Sequence, residues 1–495
     1  MSNPNSQYET ALAEQHEHRL RSGVLGLFDS VVMGVAGSAP AYSIAGATTV
    51  MFGAVGFGGP AALLYVGFFM FGIVFAFNYL SRHDSSAGAA YSWVRRAIHP
   101  ALGWLSGWAV FISALIFMVI ATFPAGSSLL GLFSDSAASS KGWVTFFGAV
   151  FFLLMVGAVA AGVTVTVRVQ IIMTTVEVVL LVVFAILAFV HAHHYVNFTW
   201  SWFLPSIFND GTGGGFQMAT FTSGALLAAF YYWGWDVTAN LNEETSNAKR
   251  TSGVGGLLGA LIVFMLFELF TLGSNMALST EQMTNEANAA NILQVLGQNI
   301  APGTPGKLIV VAVLLSTVAT LETTLIQVTR TLFVMGRDKT LPSILGTTHA
   351  TRKSPFVATM VVAVLSLLMF IGSQYVGSIS QILNDGYAAI GIQICFYYGL
   401  AGLSVVILYR KQLFKSVKNF IFMGLWPLLG ALFMMFVLIK DLPTLDGTTK
   451  LIGIGLMAVG LIPMSYYWFI KKSPYFNMPT REEREVVLEE FEQNL

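Results

Sequence analysis

This chain has little charge. Asp, Glu, Lys and Arg make up 10% of its 495 residues, against roughly 25% in soluble proteins. An ordinary water-soluble globule is excluded, and so is a charge-driven nucleic-acid binder. Cysteine occurs once, at Cys395, so no internal disulfide can form and the redox compartment cannot be read. The sequence has no P-loop, zinc spacing, Gly-rich dinucleotide fingerprint or nucleophile–base motif. ATP hydrolysis by this chain, a resident metal, a cofactor and enzymatic catalysis therefore lack the residues they need. His191, His193 and His194 come nearest to a metal site. Histidines in a loop at a helix end explain them more simply.

What the chain has is apolar length. Hydrophobic residues are 55% of it and the mean hydropathy is +0.70. Twelve runs approach the roughly 20 residues needed to span a bilayer: 24–49, 59–80, 101–124, 143–163, 170–192, 216–241, 254–277, 307–330, 356–374, 382–409, 419–439 and 450–470. They are continuous, not alternating, which excludes a membrane barrel. The first follows a polar tail and lacks a small-residue cleavage site, so it reads as a membrane helix and not a signal peptide. All 25 Lys and Arg residues except Lys141, Lys307, Lys440 and Lys450 fall on one side of such a bundle. The positive-inside rule makes that side cytoplasmic and puts both termini there. Arg481–Phe491 reads as an exposed amphipathic helix. Asn197-Phe-Thr199 fits a glycosylation acceptor by chance as well as by purpose.

Two runs are interrupted, and they lie five helices apart. Gly34, Gly37 and Pro40 fall within seven residues of the first, and Gly234 splits the second between Trp233 and Trp235. Lipid leaves backbone groups no partner, so a broken helix survives where bare backbone lines a cavity or holds a ligand. Pro40 has no amide proton, and Gly37 leaves helical geometry cheaply. The backbone across Ala36, Gly37, Ser38, Ala39 and Pro40 reads as a carboxylate cradle at the positive end of the following half-helix. A proline kink is the plain alternative for this break alone; the matching break at Trp233, Gly234 and Trp235 favours a substrate site. Phe230 reads as a gate, and an aromatic face can carry a cation. Some of the aromatics between Phe230 and Trp235 simply pack.

The membrane acids are the sharpest clue. Glu177, Asp236, Glu268, Glu322 and Asp385 lie within the spans, and no Lys or Arg lies deep in one. Each central charge costs about 2.5–3.5 kcal/mol on insertion scales. Gln170, Thr174 and Glu177 share a helical face. Ser316, Thr320, Thr323 and Gln327 form a second polar stripe with Glu322 beside it. Acids with no base partner in an apolar site can exchange protons near neutral pH. Glu177 and Glu322 are the proton-coupling candidates, with Asp236 as a third. The alternative is a protonated acid bonded to a carbonyl, or a helix cap for Asp236 and Asp385.

Helices one to five (24–192) and six to ten (216–409) form two halves. An odd number per half gives opposite orientations, hence a five-plus-five inverted repeat with broken helices 1 and 6. Residues 419–470 are accessory helices, and 1–23 and 471–495 are cytoplasmic tails. Four stretches carry a family likeness: the first break; Ser86–Tyr91 leading to Gly103–Trp108; Phe230–Val237 continuing to Glu243–Arg250; and Gln327–Asp338 through Leu341-Pro342 and Lys353-Ser-Pro355. On these the chain resembles bacterial permeases of the amino acid–polyamine–organocation superfamily over nearly its whole length.

The resemblance implies an all-α, leucine-transporter-type bundle of twelve helices in the cytoplasmic membrane. It would move an amino acid or amine with protons or by exchange, with no cofactor. It puts the substrate carboxylate at the Gly37–Pro40 break, the gate at Phe230 and the amine end near Trp233 and Gly234. Glu177 falls where several relatives carry a lysine, which leaves protonation of Glu177 itself, or a cation beside it. Ser38-Ala39-Pro40 replaces the Gly-Ser-Gly of many relatives, which raises a polyamine or other cationic amine as the alternative substrate. A non-transporting membrane sensor is the remoter reading, since no signalling domain is evident.

Overall fold

The computed structural model describes residues 19–480, apart from 139, 192, 210–214, 286–287, 289–291, 374 and 376. Arg481–Phe491 lies outside the described residues. Among those described, the chain is helical, and its one bridge of strand type joins Leu25 to Thr245. Among the described residues, ten helical stretches are long and apolar enough to cross a membrane. The first, Leu27–His83, has 57 residues and would run about 85 Å as one rod, far beyond a bilayer core of about 30 Å. It is three helices: α1 (Leu27–Ser38), α2 (Pro40–Val55) and α3 (Gly59–His83). Gly56, at φ 55°, turns the chain between α2 and α3, a conformation that glycine adopts at no steric cost.

After the short α4 (Ala90–Ala97) come α5 (Pro100–Gly131), α6 (Lys141–Ala161) and α7 (Val163–Val190). A second interrupted pair follows, α8 (Met218–Tyr231) and α9 (Val237–Asn240), and then α10 (Ala248–Ala277) and α11 (Thr304–Arg337). The chain continues through α12 (Phe356–Ser373) and α13 (Ile379–Leu408), then α14 (Val417–Asp441) and α15 (Gly447–Ile470). The apolar window of α5 is wholly buried, those of α11 and α13 are 78% buried, and that of α15 is 17% buried. The long α5 is therefore the centre of the bundle, and α15 lies at its edge.

The helices are amphipathic in the membrane sense. On α7, Ile172, Val179 and Ile186 are exposed while Gln170, Thr174 and Glu177 are buried. Polar groups gather inside because lipid offers them no hydrogen bonds. Arg330, expected at the end of a span, is followed by roughly two further turns of α11, which ends at Arg337. Arg330 is 1% exposed and grips Glu244 through two bonds of 2.9 and 3.0 Å. Burying that charge is tolerable only because the pair is bidentate.

The chain ahead of α1 is tied to the segment after α9. Val24 N–H donates to the Glu244 carbonyl at 2.9 Å, and Ser246 N–H to the Leu25 carbonyl at 2.8 Å. At the other terminus, Tyr475 stacks on Tyr91 at 4.6 Å, and its carbonyl accepts from Arg95 Nε at 2.8 Å. The start of the expected C-terminal tail is thus packed against α4.

Candidate functional site

The first break is one residue wide. Ala39 sits at φ 47°, ψ 67° between α1 and α2, a left-handed conformation costing a non-glycine residue about 1–3 kcal/mol. Pro40 opens α2 at a position where its missing N–H costs nothing. The backbone donors around the break are engaged. Ala39 N–H reaches Val35 O at 3.1 Å, and Ser43 N–H reaches Ala39 O at 2.8 Å. Ala41 N–H donates to Glu177 Oε1 at 3.0 Å, and Tyr42 N–H to Ser316 Oγ at 3.1 Å. A carboxylate from α7 therefore rests on the positive end of α2. The carbonyls are held too: Thr320 Oγ1 donates to Gly37 O at 3.0 Å, and Ser43 Oγ to Ser38 O at 3.0 Å.

The second break passes directly against the first. α8 stops at Tyr231, Gly234 turns at φ 101°, and α9 resumes at Val237. A Cβ added to Gly37 would overlap the Gly234 carbonyl, and one added to Gly234 would overlap the Gly37 carbonyl. The two interrupted helices cross backbone to backbone at this pair, which explains both glycines.

Asp236 lies just beyond the break and is 2% exposed. Its Oδ2 accepts from Tyr397 O–H and from Gln327 Nε2, each at 2.9 Å. Tyr397 in turn accepts from Trp233 Nε1 at 2.7 Å. Asp236 thus joins the α8–α9 break to α11 and α13. Phe230 is buried, tilted against Tyr387 at 4.6 Å, with Phe117 at 6.4 Å. Tyr42 packs edge-on to Phe117 at 5.4 Å, and its hydroxyl lies 3.4 Å from that of Tyr387. These rings form one aromatic cluster beside the two breaks. Trp235 belongs to a neighbouring group with Phe77 and Tyr398.

Glu322 is buried and bonded to Gln170, whose Nε2 also donates to the Ala319 carbonyl at 2.9 Å. The polar faces of α7 and α11 meet there. Ser38 Oγ, Gln170 Oε1, Thr174 Oγ1 and Glu322 Oε1 are buried without a partner among the described residues. Such orphan groups in a membrane interior are sites that water, a proton or a mobile solute can satisfy. Both oxygens of Glu268, on α10, are also buried and without a partner among the described residues. His194 Nε2 lies 3.0 Å from the Ala188 carbonyl, and no metal-holding group of His, Cys, Asp and Glu occurs among the described residues.

The structure thus brings Gly37, Ser38, Ala39, Pro40, Gly234 and Glu177 to one crossing, with Phe230, Trp233 and Asp236 next to it and Glu322 farther along α11. Ala36 lies in α1 and packs with Met173 and Ala319. Tyr387 and Tyr397 escaped the sequence reading. Buried tyrosines in an apolar run were the signal available, since each hydroxyl needs a partner.

The family described as "Amino acid permease" matches residues 25–462. The branched-chain amino acid permease BcaP of Bacillus subtilis (strain 168) is 23% identical over 341 residues, covering 66% of this chain and 68% of that protein. The low-affinity putrescine importer PlaP of Escherichia coli (strain K12) is 23% identical over 401 residues, covering 78% and 81%. A methylthioribose transporter of Bacillus subtilis (strain 168) is 22% identical over 419 residues, covering 81% and 84%.

Proposed function

The chain belongs to the amino acid permease family and is a multi-pass membrane transporter, not an enzyme; from that premise we propose that it moves a small amine-bearing solute, an amino acid first, by proton-coupled alternating access. The proposal takes the helices as twelve crossings of the cytoplasmic membrane. Residues 24–192 and 216–409 are inverted five-helix repeats, 419–470 are accessory, and both tails are cytoplasmic. The solute binds at the crossing of Gly37–Pro40 with Trp233–Trp235, under Phe230.

One observation carries the coupling: the Glu177 carboxyl sits on the Ala41 amide at the break. Gain or loss of its proton changes the charge at the end of a half-helix that borders the solute site. Glu322 and Asp236 are the further proton-binding candidates, each already hydrogen-bonded to a glutamine.

A cationic amine is the second reading, favoured by the same contact. The backbone donors around the first break are engaged, with Glu177 standing where a solute carboxylate would go. The relatives named for branched-chain amino acids and for putrescine bracket the two readings. Counterflow into proteoliposomes, run with amino acids and with their decarboxylated amines, tests them. Exchange of the amino acid supports the first reading, exchange of the amine alone the second, and exchange of neither refutes both.

A further inference from the structure

A polar cavity lies at the end of the bundle where α3 and α11 finish. It has a volume of about 440 Å³, and its walls come from the turn after α3, from α4, from the segment after α9 and from the end of α11. None of the residues at the Gly37–Gly234 crossing lines it, so the transport reading leaves it without a role. Arg95, Arg96 and Arg337 line it together with Asp84, Glu243 and Asp338, and Val334 is the apolar residue among its walls. Such walls suit a polar guest, since typical pockets for apolar ligands are lined mostly by hydrophobic side chains. Three cations against three anions leave no net charge, so a lone anion or a lone cation meets as much repulsion as attraction. A small solute that carries both charges is attracted by each sign in turn.

Two of these charged groups are open to solvent and have bonding capacity left. The Arg96 side chain is 33% exposed, and its contact with Asp84 is 3.4 Å long, where a bond between ions settles at about 2.7–2.9 Å. A guanidinium has five N–H donors, and this contact is the one ion pair of Arg96 among the described residues. The Glu243 side chain is 23% exposed. Its Oε1 accepts from the Ala87 amide at 3.0 Å and from Arg337 Nη2 at 2.8 Å, and its Oε2 accepts from Arg337 Nη1 at 3.0 Å. A carboxylate oxygen has two lone-pair sites, so Oε2 can take a further donor. Asp84 interacts electrostatically with Arg96, Glu243 and Arg337, which puts both ion pairs around one space.

We propose that this cavity is a second solute site, one that binds a free, small zwitterionic amino acid with its carboxylate on Arg96 and its ammonium on Glu243 Oε2. On the topology proposed above it faces the cytoplasm, and only that orientation rests on the transport reading. The ligand would bridge four separate segments of the chain, and so favour the conformation in which they meet.

The test is hydrogen exchange, read by mass spectrometry, on the full chain in lipid nanodiscs. The probes are alanine, ethylamine, which lacks the carboxylate, and propionate, which lacks the ammonium. Alanine is expected to slow exchange in residues 84–97 and 334–338. Half-maximal protection by either fragment should need about fivefold more ligand, the upper end for loss of one partly exposed ion pair. Arg96→Gln should raise the alanine requirement by the same factor, to that of ethylamine on the native chain. If that variant does not fold, the three probes on the native chain decide alone. Protection at the helix breaks, residues 36–40 and 233–236, scores the transport site separately, so either reading can fail while the other stands. Equal protection by alanine and by one of its fragments makes this a simple ion site and overturns the inference. Protection confined to the helix breaks, or none at all, overturns it as well.

Discussion

Replacing Glu177 with glutamine removes a titratable proton while keeping a carbonyl acceptor for the Ala41 amide, 3.0 Å away in the native chain. A hydrogen bond to a charged group is worth about 1.5–3 kcal/mol and a neutral one about 0.5–1.5 kcal/mol, so the stability loss should stay near 1 kcal/mol. Glu177→Ala is the structural control. It leaves the amide without an acceptor, which costs about 1–3 kcal/mol and lowers Tm further. The functional readout is accumulation of a radiolabelled solute in proteoliposomes under an imposed pH gradient. One pH unit is worth 1.36 kcal/mol per proton, so one coupled proton supports about tenfold accumulation. Native protein is expected to approach that ratio. Glu177→Gln should reach a ratio of about one under the same gradient while solute-for-solute exchange at equal pH persists. Retention of tenfold, gradient-dependent accumulation in the glutamine variant would refute the assignment of coupling to Glu177.

Three other outcomes follow from packing and charge. Gly37→Ala and Gly234→Ala each drive a methyl into the opposite carbonyl, and both should cost at least about 1–3 kcal/mol of stability, more at Gly234, where φ is 101°. Gly53→Ala meets nothing within 4 Å and should raise thermal stability by about 0.8–1 kcal/mol through helix propensity; thermal unfolding in detergent compares the three. Arg330→Ala strands the buried Glu244 carboxylate and should cost about 3–5 kcal/mol, whereas Arg330→Met combined with Glu244→Leu should recover most of that loss. Asp446 caps the start of α15 through the Thr448 and Thr449 amides at 2.7 and 2.9 Å. The Thr449 hydroxyl first, and these amides after it, hold the Asp446 pKa below the ordinary value. Its stabilisation is therefore complete above the unfolded value of about 4 and lost as pH falls through the lower folded value. The Tm gap between native protein and Asp446→Ala should be present at neutral pH and close in strong acid.

Both helix breaks were legible in the sequence, because Pro40 and the glycines act on their own backbone. The buried polar face of α7 was legible too, since Gln170, Thr174 and Glu177 recur at helical spacing. The partners of these groups were not. Glu177 meets an amide 136 positions away, and Asp236 meets Gln327 and Tyr397 at separations of 91 and 161. Nothing local encodes such pairings; they follow from how helices stack in three dimensions. The sequence placed a solute carboxylate at the first break, and the structure finds the chain's own carboxylate on the Ala41 amide there. The Arg330–Glu244 pair is a further partnership, at a separation of 86, that no local pattern encodes.

The bonds between Val24–Leu25 and Glu244–Ser246 give the two interrupted helices a common handle. α1 and the α9 segment touch at Gly37 and Gly234 and are tied again at their far ends, so they form a closed frame with two fixed joints. A frame of that kind resists shear between its members and turns as one lever. Displacing α1 would therefore draw the α9 segment with it. On the proposed function, work done at the solute site would reach α1 and the α9 segment together, and the short chain ahead of α1 would serve as a mechanical linkage.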